Sequence, residues 1–369
     1  MATDRSRRRC RERLRLLGSS RLSREEFTRE AVGALRQAIG FDGPSCFADP
    51  ASLLPTGHEM TGVDAAFQSS VPRLTALHQG YEAASDRSIA SGEEPVATLS
   101  MSTGGDLAKN QLWDECFRPH GVGDSFFLAC RDRYGSWGWV NASRERSDRP
   151  FTAQDVRLLN DVSASLGATM RQLATGDPSP TTDTPPPGVI ICDHHLRETS
   201  WTPAAHRWLA LLPDGPRWHR HGLLPPAVYG VVGRLLAAAE EASGGTARAR
   251  VRAAAGTWAV LDGSRLEGEA GGRVAITIRA ATADEVLEIL CRAYELTPRE
   301  SELVRLVVGG LSTQQLAERL FITPYTVKDH LKAVFEKVGV RSRRELVGHM
   351  TGRATGPDEL EPRLPPVSA

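Results

Sequence analysis

The sequence predicts an α+β multidomain chain: two α/β domains of mixed helix and strand, followed by an all-α domain of four helices. Three observations carry that expectation. The chain has 369 residues, more than one hydrophobic core organises, because domains cluster near ~100–150 residues. The stretch 175–187, TGDPSPTTDTPPP, has five prolines and no residue able to anchor a core, which is the composition of an extended linker. Short β-prone runs lie on both sides of it, but beyond residue 280 apolar residues recur at three- and four-residue spacing instead.

Residues 1–20 form a basic segment containing Arg5, Arg7, Arg8, Arg9, Arg11, Arg13 and Arg15. A solvated helix end or frayed tail is the expectation there, in preference to a phosphate-binding arm. No apolar run follows that would make it a secretory signal. Next, Phe27, Val32, Leu35 and Ile39 fall at helical spacing. Ser125–Ala129 and Trp137–Val140 are short, aromatic and β-prone, and the intervening Arg131–Gly135 reads as a hairpin turn. Thr152 is placed to cap a helix with Val156, Leu159, Val162, Leu166 and Met170 along one side.

Residues 21–174 resemble a GAF domain. The resemblance rests on Asp132, Gly135, Trp137 and Gly138 in a hairpin and on Phe151, Thr152 and Asp155 at the start of the closing helix. Beyond the linker, Gly188–Asp193 is an apolar strand and Pro203–Leu212 a helix. Pro225–Ala242 holds another helix, and Ala247–Arg252, Thr257–Asp262 and Arg273–Arg279 are three strand candidates. That order resembles a PAS domain over 188–280. Both resemblances imply sensory domains that often enclose a small molecule, so a ligand of unknown identity is the only cofactor expectation.

The all-α domain is expected over 281–350, and Leu296–Met350 is its informative part. Thr297 is an N-cap, Pro298 sits at N1, and Glu300 is placed to close a capping box. Gly309 and Gly310 end this helix. Ser312 caps a second helix carrying Leu316, Ala317 and Leu320. After the turn Phe321–Thr323, Thr323 caps a third helix that Gly339 ends, and a fourth begins near Ser342. In the third helix Val327, Leu331, Val334, Phe335 and Val338 make one apolar face, while Tyr325, Lys328, Asp329 and Lys332 point elsewhere. A helix docked on one side and basic on the other suits a DNA major groove. Within 296–350 there are nine Lys/Arg and six Asp/Glu, so the placement of the bases matters more than their excess.

This stretch resembles the LuxR-type (NarL/FixJ-like) domain. The matching residues are Leu296-Thr297-x-Arg299-Glu300, Gly310-Leu311-Ser312, Leu316-Ala317, Thr326-Val327-Lys328-x-His330-Leu331, Lys337, Arg343 and Glu345. The resemblance implies a four-helix fold with its helix-turn-helix at Thr313–Lys332. Thr323, Tyr325, Thr326, Lys328, Asp329, Lys332 and Arg343 are then the expected DNA contacts. It also implies a transcriptional regulator acting as a homodimer on double-stranded DNA, with RNA polymerase as a candidate partner. Asp329 is acidic where a base edge is expected; it can accept from cytosine N4 or remain a solvated charge.

Other classes are set aside by what the sequence lacks. Lys+Arg and Asp+Glu balance at 45 each, so the whole chain has no charge preference for a polyanion. No apolar run reaches the ~20 residues that cross a bilayer, and a cytoplasmic protein without a membrane partner is expected. No phosphate-cradling G-x-x-x-x-G-K-[ST], no H-E-x-x-H and no receiver-domain phosphoacceptor is visible, so a one-component regulator is expected, not an enzyme. The alternative is a GAF-fold small-molecule or thiol-redox enzyme with an accessory helix-turn-helix, for which Cys46, Cys116 and Cys130 are the candidates. His219 with His221, and His194 with His195, lack the further ligands a metal site needs. Residues 351–369, rich in proline, are expected to be a disordered tail.

Overall fold

The computed structural model describes residues 4–20, 22–42, 45–59, 70–79, 94–175, 184–213, 215–220, 222–240, 247–253, 257–267 and 273–351. The expected tail therefore lies outside the described residues, as does most of the linker. Two compact units result, one reaching to Ala281 and one from Thr282 onward.

The first unit contains two antiparallel sheets. Its first half runs α1 (Asp4–Gly18), α2 (Arg24–Ile39), β1 (Ser45–Ala48), β2 (Pro55–Glu59), α3 (Val71–Gln79), β3 (Val96–Thr98), β4 (Val122–Asp132), β5 (Gly135–Glu145) and α4 (Ala153–Thr175). Its second half runs β6 (Gly188–Cys192), β7 (Glu198–Trp201), α5 (Pro203–Leu211), α6 (Gly215–Arg220), α7 (Pro226–Glu240), β8 (Ala247–Arg252), β9 (Trp258–Arg265) and β10 (Val274–Ala280). The strand orders are β2-β1-β5-β4-β3 and β7-β6-β10-β9-β8. Each half thus repeats one plan, in which its first and last strands pair at the centre.

The hairpin expected at Arg131–Gly135 is present, with Asp132 opposite Gly135. Asp132 organises it. One carboxylate oxygen accepts from the Tyr134 N–H at 2.9 Å and from Trp137 Nε1 at 3.2 Å. The other accepts from Arg171 Nε at 2.6 Å on α4. The start of α4 is equally specified: the Thr152 N–H donates to Asp155 at 3.0 Å, and the Asp155 N–H donates to the Thr152 hydroxyl at 3.3 Å. Phe151 closes the corner by packing edge-on against Phe126.

The N-terminal segment corrects an expectation. It is not a frayed tail or a merely solvated helix end, because Cys10, Leu14 and Leu17 are buried along one side of α1. Their spacing is helical, but seven arginines between residues 5 and 15 conceal it in the composition. Arg7 is itself buried and bonds Asp155 at 3.1 Å and Gln154 at 2.9 Å.

In the second half, Ile190, Trp208, Val231, Leu235, Leu261 and Ile276 fill the space between sheet and helices. The expected linker enters here, where the Pro186 carbonyl accepts from Trp208 Nε1 at 3.0 Å. The two halves meet directly. Asp49, buried in the first, accepts from the Arg250 backbone N–H at 3.0 Å and from its Nε at 2.9 Å. On α7, a Cβ at Gly233 would stand 2.5 Å from the Ala76 backbone of α3, so only glycine permits that approach. Trp113, Trp137, Trp208 and Trp218 are buried, while Trp201 is exposed.

The second unit is all helical: α8 (Ala283–Ala293), α9 (Pro298–Val308), α10 (Thr313–Leu320), α11 (Pro324–Val338) and α12 (Arg343–Thr351). Four of these helices match the expectation. The fifth, α8, was not anticipated, although Thr282 and Glu285 form a capping box at its start. Among the described residues no helix is long and apolar enough to cross a membrane.

Candidate nucleic-acid interface

Local chemistry fixes each helix of the second unit. Thr297 and Ser312 make full capping boxes with Glu300 and Gln315. Thr323 caps α11 through the Thr326 N–H at 3.1 Å, and its hydroxyl also contacts the Thr326 hydroxyl at 2.9 Å. Gly339, left-handed at φ 78°, ends α11, a conformation that costs glycine little.

Helices α10 and α11 are joined by three residues. Phe321 takes the left-handed conformation at φ 54°, and the Ile322 N–H returns to the Ala317 carbonyl at 3.0 Å. Below the turn Leu316, Ala317 and Leu320 are buried, as are Val327, Leu331, Val334 and Val338 of α11. Phe335 is half-buried.

Two side chains brace this pair against α9. Arg299 donates to the Leu320 carbonyl at the end of α10. Lys337 donates to Glu300 at 2.6 Å and to the Glu295 carbonyl at 3.3 Å. Glu300 therefore serves two helices at once, since it also accepts from the Thr297 N–H at 2.7 Å. Burial acts to raise its pKa, but the bonds from Lys337 and Thr297 outweigh that and hold the carboxyl below its ordinary value.

The outer face of α11 has the opposite character. Tyr325, Lys328, Asp329 and Lys332 stand at i, i+3, i+4 and i+7, one side of a helix. All four are exposed, Tyr325 at 74%. Lys328, Asp329 and Lys332 have no ion-pair partner among the described residues. Thr323 is exposed and Thr326 half-buried at the same end. Six of the seven expected contact residues thus lie between the cap of α11 and Lys332.

Arg343 stands apart from them. Its guanidinium donates to the Leu311 carbonyl, tying the start of α12 to the turn before α10. Two exposed residues were not anticipated. Phe321 is 95% exposed at the tip of the turn, and a phenylalanine in an apolar run gives no sequence signal of exposure. Arg319, on the open side of α10, is also exposed; its helical position between the buried Ala317 and Leu320 could have shown this.

Residues 294–350 match the family described as bacterial regulatory proteins, luxR family. Over 60 residues, 16% of this chain, the sequence is 47% identical to a putative HTH-type transcriptional regulator of Mycobacterium bovis, of which that segment is 7%. A similarly described protein of Mycobacterium tuberculosis matches at 47% over 60 residues. Over 51 residues, 14% of this chain, it is 43% identical to the nitrate/nitrite response regulator protein NarL of Escherichia coli, of which the segment is 24%. The chain spans less than a quarter of the length of these relatives. Its C-terminal helical region is a LuxR-type helix-turn-helix domain.

Proposed function

We propose that this chain is a sequence-specific transcriptional regulator that reads double-stranded DNA with α11. The observation that carries the proposal is the division of that helix into a buried apolar face and an exposed face bearing Tyr325, Lys328, Asp329 and Lys332. A rigid helix of this kind fits the major groove, where lysine can donate to guanine O6 and N7 and aspartate can accept from cytosine N4. Helix α10 then crosses the backbone. Thr323 and Thr326 lie beside the phosphates, where their hydroxyls and the first N–H groups of α11 favour anionic oxygen. Arg343 contributes by holding α12 in place. In this proposal two protomers bind adjacent half-sites, and the family resemblance assigns their pairing to α12.

The first unit is the sensory part of the same proposal, GAF-like over 21–174 and PAS-like over 188–280. Support comes from the strand order common to both sheets and from the roles of Asp132, Thr152 and Asp155 in the hairpin and the closing helix. A ligand or partner held there shifts the population of arrangements in which two helix-turn-helix domains reach their half-sites.

The thiol-redox alternative finds no favourable observation. Cys10, Cys116, Cys130, Cys192 and Cys291 are free and buried. Burial pushes the Cys130 thiol up to about 12 and outweighs the opposing Arg11 charge to bring Cys10 to about 11. Reactive cysteines need the opposite shift. The side chain of Cys46 lies outside the described residues.

Selection of bound genomic fragments by the full chain, at one near-physiological salt concentration, tests the proposal. An enriched and partly palindromic site is expected. Weak, salt-labile binding with no enriched sequence would refute sequence-specific recognition by a symmetric pair.

A further inference from the structure

A cleft of about 1030 Å³ opens on the first unit, where the β6–β7 turn, α5, α6 and residues 222–225 face Pro72 and Arg73 of α3. That is the size of a small-molecule site, typically ~300–1,000 Å³. Its floor is the outer side of the core that Trp208, Val231 and Leu235 help to fill, since Leu196, Leu224 and Tyr229 belong to both.

Its lining has two characters. Leu196, Leu224 and Tyr229 are buried and supply an apolar floor, extended by the partly buried Leu209. The rim is cationic or basic: His194, His195, Arg197, His206, His219 and Arg220 all line it. Among the described lining residues Glu198 is the acidic one, and it is engaged by His206 Nε2 at 3.3 Å. Asp193, next to the rim, is occupied by the backbone N–H groups of His195 and Arg197, each at 2.9 Å. Arg73 is taken by Glu115, at 2.7 and 3.2 Å. Arg197 and Arg220 are exposed and have no side-chain partner among the described residues. Two uncommitted arginines and an apolar floor lining one cleft are suited to an anionic head with a hydrocarbon body.

We propose that this cleft binds a small amphipathic organic anion, its carboxylate or sulfonate held by Arg197 and Arg220 and its ring or chain laid on Leu196, Leu209 and Leu224. Its use as a regulatory input rests on the proposed function, but the binding itself does not, and its test contains no DNA. A failure here leaves the fragment selection untouched, and a failed selection leaves this site standing.

The probes are 1-anilinonaphthalene-8-sulfonate and the uncharged N-phenyl-1-naphthylamine, which has the same rings without the sulfonate. Each is titrated by fluorescence into the full chain. One saturable sulfonate site per chain is expected, tighter than the neutral probe by about tenfold or more, as charge-assisted hydrogen bonds provide. Arg197→Gln with Arg220→Gln abolishes that preference and leaves the neutral probe unaffected. Ala210→Glu, at an exposed lining position of α5, does the same by repulsion without removing any native contact, and unchanged circular dichroism shows that the variants fold. No saturable sulfonate binding, equal affinity for the two probes, or a preference that survives in folded Arg197→Gln/Arg220→Gln protein overturns the proposal.

Discussion

At Asp155 a carboxylate with no solvent exposure joins α1 to the end of β5 and the start of α4. It accepts from the Thr152 N–H at 3.0 Å, from Arg7 at 3.1 Å and from Arg144 at 3.5 Å. Burial acts to raise its pKa, but the bonds from Thr152 and Arg7 and the charge of Arg144 outweigh that and hold it below the ordinary carboxylate value. Asp155→Ala removes the buried counter-charge that Arg7 and Arg144 share and leaves Arg7 only the exposed Asp4 at 3.8 Å, and a loss of about 3–5 kcal/mol in urea unfolding is expected. The pH dependence has a definite sign. A depressed folded pKa contributes stability above the unfolded value of ~3.9, and that stability is lost as pH falls through the folded value. The wild type should therefore weaken on acidification below about pH 4, and Asp155→Asn should lack this component. The sequence showed Asp155 as part of a helix-start motif but not its partner Arg7. Nothing in a run of arginines distinguishes the buried one. Arg343 was similarly opaque, because a spare carbonyl at Leu311 exists only once the chain has folded.

Helix boundaries were the most legible elements, since capping is local chemistry. Thr297, Ser312 and Thr323 cap the helices expected of them. Strands β1, β2 and β3 were not, being only three to five residues long, and β1 and β3 are placed by pairing across long separations with β5 and β4. Close packing between elements was also hidden. On α4, a Cβ at Gly167 would lie 2.5 to 2.7 Å from the backbone of Arg131 on β4. Alanine would gain up to ~1 kcal/mol of helix propensity there. The backbone of a central strand cannot yield cheaply, and overpacking costs about 1–3 kcal/mol. Gly167→Ala is therefore expected to be net destabilising, with a lower melting temperature in calorimetry. Unchanged or increased stability would mean that α4 can move away from β4.

Over the whole molecule, the sequence distinguished two mixed regions from a helical one but did not reveal how the mixed regions join. The Asp49–Arg250 contact spans 201 residues, and the Gly233–Ala76 approach depends on a missing side chain. Neither leaves a local pattern. The helix-turn-helix was legible as a complete module because its spacing, caps and exposed face all lie within one short stretch, and the braces at Arg299 and Lys337 explain how α11 is presented rigidly. The direct measurement of DNA recognition by that presented face is the affinity of the full chain for its selected site and for a scrambled duplex, at one salt concentration, before and after Lys328→Ala with Lys332→Ala. Each lost base-edge contact is expected to cost about 1–3 kcal/mol on the selected site and less on the scrambled duplex, so that specificity collapses while the fold persists. An unchanged ratio between the two duplexes would contradict recognition by this face.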